Sequence, residues 1–333
     1  MKIWYDACTG KHVRYGVAIA RRLRALGHQV VLTTRKHPDT LPLAQYLNEQ
    51  FIVVGRYDPK SLLTRLREGT RRQLKFCKLF EKDMPDVAIS HGSVDLCRVA
   101  FGLGKPIITT IDTPYAEAVN RLTLPLSKYV VASKAIPKET LQTYGVKGEI
   151  IQFDGVDEVA WIKDFKPQAT YDFGKPLIVV RQHEEKAAYA QGTFDMVTLA
   201  KKLTRLGKVV FLSRYRQKTI KNLILPKGFV DTATLAAQAD LFVGVGGTIT
   251  REAALQGTPA IIVNLFPQQH ANDYLVEKGF PIFKTDFAGV LKSAENLLGK
   301  KRSVARMLKE LENPVDVIQR LVEEDLRKKV DAK

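Results

Sequence analysis

Short apolar runs alternate with amphipathic stretches along almost the whole chain. Lys2 to Tyr5 reads as a strand and Asp6 to Lys11 as a turn, and Val13 to Leu26 carries Val17, Ile19, Ala20, Leu23 and Leu26 at helical spacing until Gly27-His28 stops it. Val30 to Thr33 then begins another strand, so the chain opens with a βαβ unit. Phe51 to Val54, Val87 to Ser90, Pro106 to Ile111, Tyr129 to Ala132 and Glu149 to Gln152 are further strands, each separated from the next by helical patterns or turns. This alternation predicts a mainly parallel, doubly wound sheet. After Asp154-Gly155-Val156 the pattern becomes irregular as far as Lys175-Pro176, then restarts with the strand Leu177 to Val180, a helix over Ala187 to Leu206 and the strand Val209 to Leu212. The expected organisation is α/β: a Rossmann-like domain over 1–155, a linker over 156–176, a second Rossmann-like domain over 177–312, and a terminal amphipathic helix within 313–333. Two such domains would face each other across a cleft at the carboxyl ends of their strands.

One stretch combines this pattern with chemistry. Asp240 to Asn264 reads DLFVGVGGTITREAALQGTPAIIVN: an apolar run, a turn with Gly244, Gly246 and Gly247, a helix that stops at Gly257, and a second apolar run. Glycines permit positive φ and close approach to the backbone, and Thr248 can cap a helix whose free N–H groups and positive dipole end face the turn. Such a turn suits a diphosphate. Glu252 lies one helical turn further on and could accept hydrogen bonds from two vicinal ribose hydroxyls. The same residues also make an ordinary tight turn followed by a solvated Arg251-Glu252 pair.

The string GGTITREAALQGTPAI resembles the nucleotide-sugar-binding motif of two-domain GT-B glycosyltransferases, the superfamily of the peptidoglycan enzyme MurG and the UDP-N-acetylglucosamine 2-epimerases. DTPYAEAVNRLTLPLSKYVVAS together with FDGVDEVAWI is similar, over most of the chain, to one prokaryotic family of unknown function taken to be GT-B glycosyltransferases. The resemblance implies Gly246, Gly247 and Thr248 on the diphosphate of a nucleoside-diphosphate sugar, most naturally a UDP-sugar, and Glu252 on its ribose. It implies Gln268, Gln269 and Asn272 of the QQHAND string on the donor sugar, and a terminal helix, here Pro314 to Lys328, that packs back on the first domain.

Other segments follow strands and have a chemical and a plain reading side by side. His12, in Gly10-Lys11-His12, could act as a general base or simply begin a helix; the MurG-like loop has glycine where this chain has Lys11. Asp112 could be a carboxylate base or an N-cap before Thr113-Pro114. Arg181 could hold a phosphate through paired N–H donors, or be a loop arginine. His91-Gly92-Ser93 is a third such loop, where Ser93 would serve equally as a cap.

Composition narrows the classes. The chain has 333 residues, 45% hydrophobic and 26% charged, which suits soluble globular domains. Its three cysteines, Cys8, Cys77 and Cys97, form no CxxC pair, so neither a disulfide framework nor a zinc knuckle is expected. No HxxxH, HExxH or DxD string occurs, and the expectation is no metal and no tightly bound cofactor. MKIWYDACTG begins directly with a strand, and no run approaches about twenty apolar residues, so a cytoplasmic protein is expected.

A formal charge of +17 attracts nucleic acid, anionic lipid and phosphorylated substrates alike. The basic stretch Leu62 to Phe80 could lie on the inner face of an anionic membrane; as an ordinary surface helix it would turn its leucines to the core, and that is the expected arrangement. The sequence therefore reads as a metal-independent glycosyltransferase with an unidentified acceptor. A sugar-nucleotide 2-epimerase is the first alternative, though no acid/base pair can be placed by sequence. A non-enzymatic nucleic-acid-binding protein is the second; no basic run interleaved with stacking aromatics supports it.

Overall fold

The computed structural model describes residues 1–183, 195–213, 219–264 and 268–331, with the backbone alone from 325 onward. The chain divides into two compact units, Met1–Trp161 with Leu311–Lys333, and Ile162–Glu310. Each is built on a parallel sheet.

The first unit holds β1 (Lys2–Ala7), β2 (Gln29–Lys36), β3 (Ile52–Arg56), β4 (Val87–Ser90), β5 (Ile107–Ile111), β6 (Tyr129–Ser133) and β7 (Glu149–Phe153), in the order β3-β2-β1-β4-β5-β6-β7. The chain winds outward from β1 to β3, then returns to β4 on the other side of β1. β4, β5 and β6 are buried along their whole length, as their near-continuous Val, Ile, Ala and Thr content requires of strands covered on both faces. The helix Gly10–Ala25 lies close on β1 because Gly16 meets the Tyr5 ring; a Cβ there would sit 2.4 Å from the ring edge. The terminal helix Pro314–Asp331 adds Val315, Val317, Ile318, Leu321 and Val322 to the core that contains Tyr5, Val17 and Leu23. An Arg22–Asp316 ion pair and an Arg22–Gln319 hydrogen bond of 3.0 Å fix that contact.

The second unit holds β8 (Leu177–Arg181), β9 (Lys208–Leu212), β10 (Leu241–Gly244), β11 (Ala260–Val263) and β12 (Ile282–Thr285), in the order β12-β11-β10-β8-β9. The doubly wound parallel architecture expected from the sequence holds in both units. β12, half exposed along its length, was not legible as a strand. Of the helix expected over Ala187 to Leu206, the described part is Met196–Leu203; residues 187–194 lie outside the described residues.

The basic helix Leu62–Leu79 reverses the expected orientation. Ser61 and Thr64 close a capping box at its start, and its buried residues are Glu68, Arg72 and Phe76. Leu62, Leu63, Leu66 and Leu74 are instead 61–81% exposed. The reason is a buried acid in β1. Asp6 is fully buried, and Arg72 donates to both of its oxygens, at 2.8 and 3.1 Å, to Asp95 at 2.6 Å and to the Val54 carbonyl at 2.8 Å. Thr33 and Ser93 donate to the same Asp6 carboxylate. Leaving a carboxylate buried without its cation costs about 3–5 kcal/mol, and Arg72 supplies that cation only with the arginine face of the helix turned inward.

Candidate functional sites in the two units

In a doubly wound sheet, ligands bind outside the carboxyl ends of the strands where the winding reverses. In the first unit the reversal lies between β1 and β4, whose pairing continues through Asp6 and Ser90, so the segments beginning at Cys8 and His91 leave the sheet side by side. Asp112 follows β5, and Asp157 and Glu158 follow β7 by a short turn.

The first turn of the helix Gly10–Ala25 and these loops bring one cation and three carboxylates together. Lys11 Nζ pairs with Asp112, lies 2.8 Å from Asp157 Oδ2 and 3.6 Å from Glu158 Oε1. The Lys11 side chain is 10% exposed, those of Asp157 and Glu158 only 2% and 1%. His91 joins from the neighbouring loop, with Nε2 3.4 Å from Asp112 Oδ1 and 3.8 Å from Asp157 Oδ2, while Thr110 Oγ1 lies 2.6 Å from its Nδ1. The imidazole is thus aimed at the carboxylates by a hydroxyl on β5. His12 packs edge-on against His91 at 4.8 Å between centroids, and its Nδ1 accepts the Cys8 N–H at 3.3 Å. Burial, with His91 and Lys11 adding to it, holds His12 well below its usual range, so it is neutral near pH 7 and carries its proton on Nε2. Neither the Tyr15 hydroxyl nor Asp157 Oδ1 completes a hydrogen bond among the described residues. Burial, then the nearby Asp157 charge, raises the Tyr15 pKa well above its usual value, which leaves the hydroxyl a neutral donor.

His91, Asp112 and Asp157 also present donor atoms within 4.8 Å of one another, a spacing that suits a metal ion and that no sequence string announced. Lys11 supplies a positive charge to the same oxygens. As a strongly hydrated point charge brought out of water, it does locally what a cation would do.

In the second unit the reversal lies between β8 and β10, where Val180 pairs beside Val243. The glycine turn and Arg181-Gln182-His183 therefore emerge together. Gly246 adopts φ +95° and must be glycine twice over, because a Cβ would fall 1.7 Å from Gln269 Oε1 and 2.7 Å from Asn272 Nδ2. Asn272 donates to the Gly246 carbonyl and to Gln269 Oε1, both at 2.7 Å, tying the turn to the helix His270–Glu277. Gly247 is the N-cap of the helix Thr248–Leu255, with no side-chain cap hydrogen bond, and a Cβ on it would meet nothing within 4 Å. The expected cap, Thr248, is instead the first helical residue: the extended backbone at Gly247 makes that residue the boundary.

Among the described residues, Thr250 Oγ1, Gln269 Nε2, Asn272 Oδ1 and both ring nitrogens of His183 are buried without a hydrogen-bond partner. Buried polar groups are nearly always satisfied, so such a concentration around one turn needs an explanation. Gln268 is exposed, and Arg181 reaches the Leu212 carbonyl at 3.3 Å. Glu252 is fully buried and accepts from Thr232 Oγ1 at 2.9 Å, so it is not the solvated residue that its position one turn into the helix allowed.

The residues expected from the sequence thus separate by unit. His12 and Asp112 lie in the first unit; in the second, Gly246, Gln269 and Asn272 meet at the glycine turn, Gly247 and Thr248 continue it into the helix, and Glu252, Arg181 and Gln268 lie in the same unit. Asp112 does not cap: Ala116 is the N-cap of the helix Glu117–Thr123. Ser93 does cap, accepting from Leu96 N–H. Sequence reasoning passed over Lys11, Asp157 and Glu158. Their only signal was position, each lying a few residues beyond a parallel strand. Residues 184–185 of the RQHEE string and Pro267 lie outside the described residues.

No helix among the described residues is long and apolar enough to cross a membrane. Comparison with known proteins agrees with the fold. The UDP-GlcNAc 2-epimerase from Methanocaldococcus jannaschii, solved with UDP-GlcNAc and UDP, matches 97% of this chain and 100% of its own with a TM-score of 0.72 at 16% identity. The glycosyltransferase SnogD from Streptomyces nogalater matches 97% and 99% with a TM-score of 0.59, also at 16% identity. These neighbours agree with the α/β fold expected from the sequence. An uncharacterized protein of Methanocaldococcus jannaschii is 31% identical over 340 residues, which cover 96% of each chain. The family model described as protein of unknown function (DUF354) matches residues 1–327, and the chain belongs to that family.

Proposed function

We propose that the protein is an enzyme of nucleoside-diphosphate sugars that transfers the sugar to an acceptor hydroxyl without a metal ion. The observation that carries this reading is the group of buried polar atoms around a glycine turn that opens a helix, Thr250 Oγ1, Gln269 Nε2 and Asn272 Oδ1, which find no hydrogen-bond partner among the described residues. The uncapped N-terminus of the helix Thr248–Leu255 would take the diphosphate, with Arg181 as a further contact, and the open space over Gly247 admits it. Glu252 would exchange its Thr232 hydroxyl for the ribose diol, and Gln268, Gln269 and Asn272 would read the donor sugar. Fixed amide donors at the helix end stabilise charge that develops on the leaving diphosphate. In the first unit, Asp112 and His91, with His12 and Lys11 beside them, form a carboxylate–imidazole group of the kind that takes a hydroxyl proton.

One observation favours a second reading. A 2-epimerase needs acid and base groups around the sugar, and Asp112, Asp157, Glu158, Lys11 and His91 form a set of them that sequence could not place. Neighbour names do not separate the two readings, because similarity at 16% identity speaks to the fold.

The test is calorimetric titration of the full chain with UDP and UDP-GlcNAc, followed by NMR of the sugar nucleotide in deuterated water. Binding followed by release of nucleoside diphosphate only with an acceptor extract, and with no deuterium at C2, supports transfer. Deuterium at C2 with no nucleotide released assigns the epimerase instead. Failure of any of several nucleoside diphosphates to bind refutes both.

A further inference from the structure

We propose that the outer face of the helix Leu62–Leu79 docks the first unit onto an anionic lipid surface. At 100° per residue, Leu63, Leu66, Thr70, Leu74 and Cys77 form one stripe along the helix, about 21 Å long at the α-helical rise. Leu62 widens it at the N-terminal end. Leu62, Leu63, Leu66 and Leu74 are exposed by 81%, 63%, 69% and 61%, an arrangement opposite to that of a helix covering its own core. Arg67, Arg71, Lys75 and Lys78 form a second stripe alongside, and all four are exposed.

The charge on this face has one sign. The sole acidic residue of the helix, Glu68, is buried and pairs with Arg71 at 2.7 Å and Arg56 at 3.5 Å. Arg72, which would seem to belong to the basic set, is spent on Asp6 inside the core. Its anchorage explains why the leucines are outside: the arginine fixes the helix rotation, and rotation puts the leucine stripe in water. A leucine stripe flanked lengthwise by cations, on a helix with a closed capping box at its start, matches a helix lying flat with its apolar side among acyl chains and its cations at headgroup level. The complement to that charge is an anionic headgroup layer, which a neutral bilayer lacks.

The experiment is flotation of the full chain with vesicles of phosphatidylcholine alone and of phosphatidylcholine mixed with phosphatidylglycerol, at low and high salt. The expected result is retention on the anionic vesicles only, reduced by salt. Each of Arg67→Gln, Lys75→Gln and Lys78→Gln should weaken partition about fivefold, and the three together about a hundredfold. Leu66→Ser with Leu74→Ser should weaken it at least about tenfold, since both leave the bilayer boundary. All these positions are exposed, and an unchanged melting curve by circular dichroism accompanies each loss. Equal retention on neutral vesicles, no retention on anionic ones, or wild-type partition of the triple charge variant would each overturn the proposal. So would a wild-type dimer in solution that becomes monomeric in the leucine variant, which would assign the stripe to a second copy of the chain.

Discussion

Replacing Lys11 by methionine removes the charge that holds the first unit's cluster together while keeping most of the side chain's volume. Lys11 Nζ lies 2.8 Å from Asp157 and 3.6 Å from Glu158, and both carboxylates are almost wholly buried. At an effective dielectric constant of about 20, these contacts correspond to Coulomb attractions of about 6 and about 5 kcal/mol, offset in large part by the desolvation of all three groups. Deleting the cation leaves that desolvation uncompensated and sets the carboxylates against one another, a loss of about 3–5 kcal/mol by precedent for broken buried pairs. Lys11→Met should therefore lower the unfolding free energy by that amount at pH 7, measured by urea titration at constant slope. The deficit should also shrink as pH falls toward 5. Without the ammonium, the folded variant takes up a proton that the unfolded chain does not yet bind, and stability then rises as pH falls. A deficit under about 1 kcal/mol, or one independent of pH, would refute the view that Lys11 is the counter-ion of a buried acid cluster.

Glu252→Ala should weaken nucleoside diphosphate binding by about 1.5–3 kcal/mol in calorimetry, and it should also lower Tm because the carboxylate is fully buried on Thr232. Glu252→Gln keeps the volume, and unchanged affinity in that variant would remove Glu252 from ribose recognition. Since Lys11 already places a positive charge among the oxygens of Asp112 and Asp157, turnover should survive EDTA; loss that magnesium or manganese restores would assign the cluster to a metal. Burial pushes Cys97 up to about 12 and holds Tyr5 and Tyr15 well above their usual values. These groups ionise first in the unfolded chain, so their contribution is intact below about pH 9 and is lost as pH rises further. Stability should fall from about pH 9 upward, and Cys97→Ala should flatten the start of that fall in pH-dependent thermal melts.

The periodicity of the chain alone determined most of the fold. Strands such as Val87–Ser90 and Tyr129–Ser133 are apolar along their length because helices cover both faces, and that property is local in the sequence. The glycine turn was legible for a similar reason: Gly246 occupies a positive-φ position that few other residues tolerate. The first unit's cluster was not legible. Lys11, His91, Asp112 and Asp157 come from the first turn of one helix and from three loops, spread over nearly 150 residues, and only the parallel order of β1, β4, β5 and β7 brings their carboxyl ends to one edge.

The orientation of Leu62–Leu79 shows the limit most clearly. Its sequence has an apolar stripe and a basic stripe, and amphipathicity by itself assigns the leucines to the core. Only the tertiary structure reveals that Asp6, distant in sequence, lies fully buried under this helix and requires Arg72. A periodic pattern registers which residues share a face, whereas the choice of which face turns inward depends on the charge already buried beneath it.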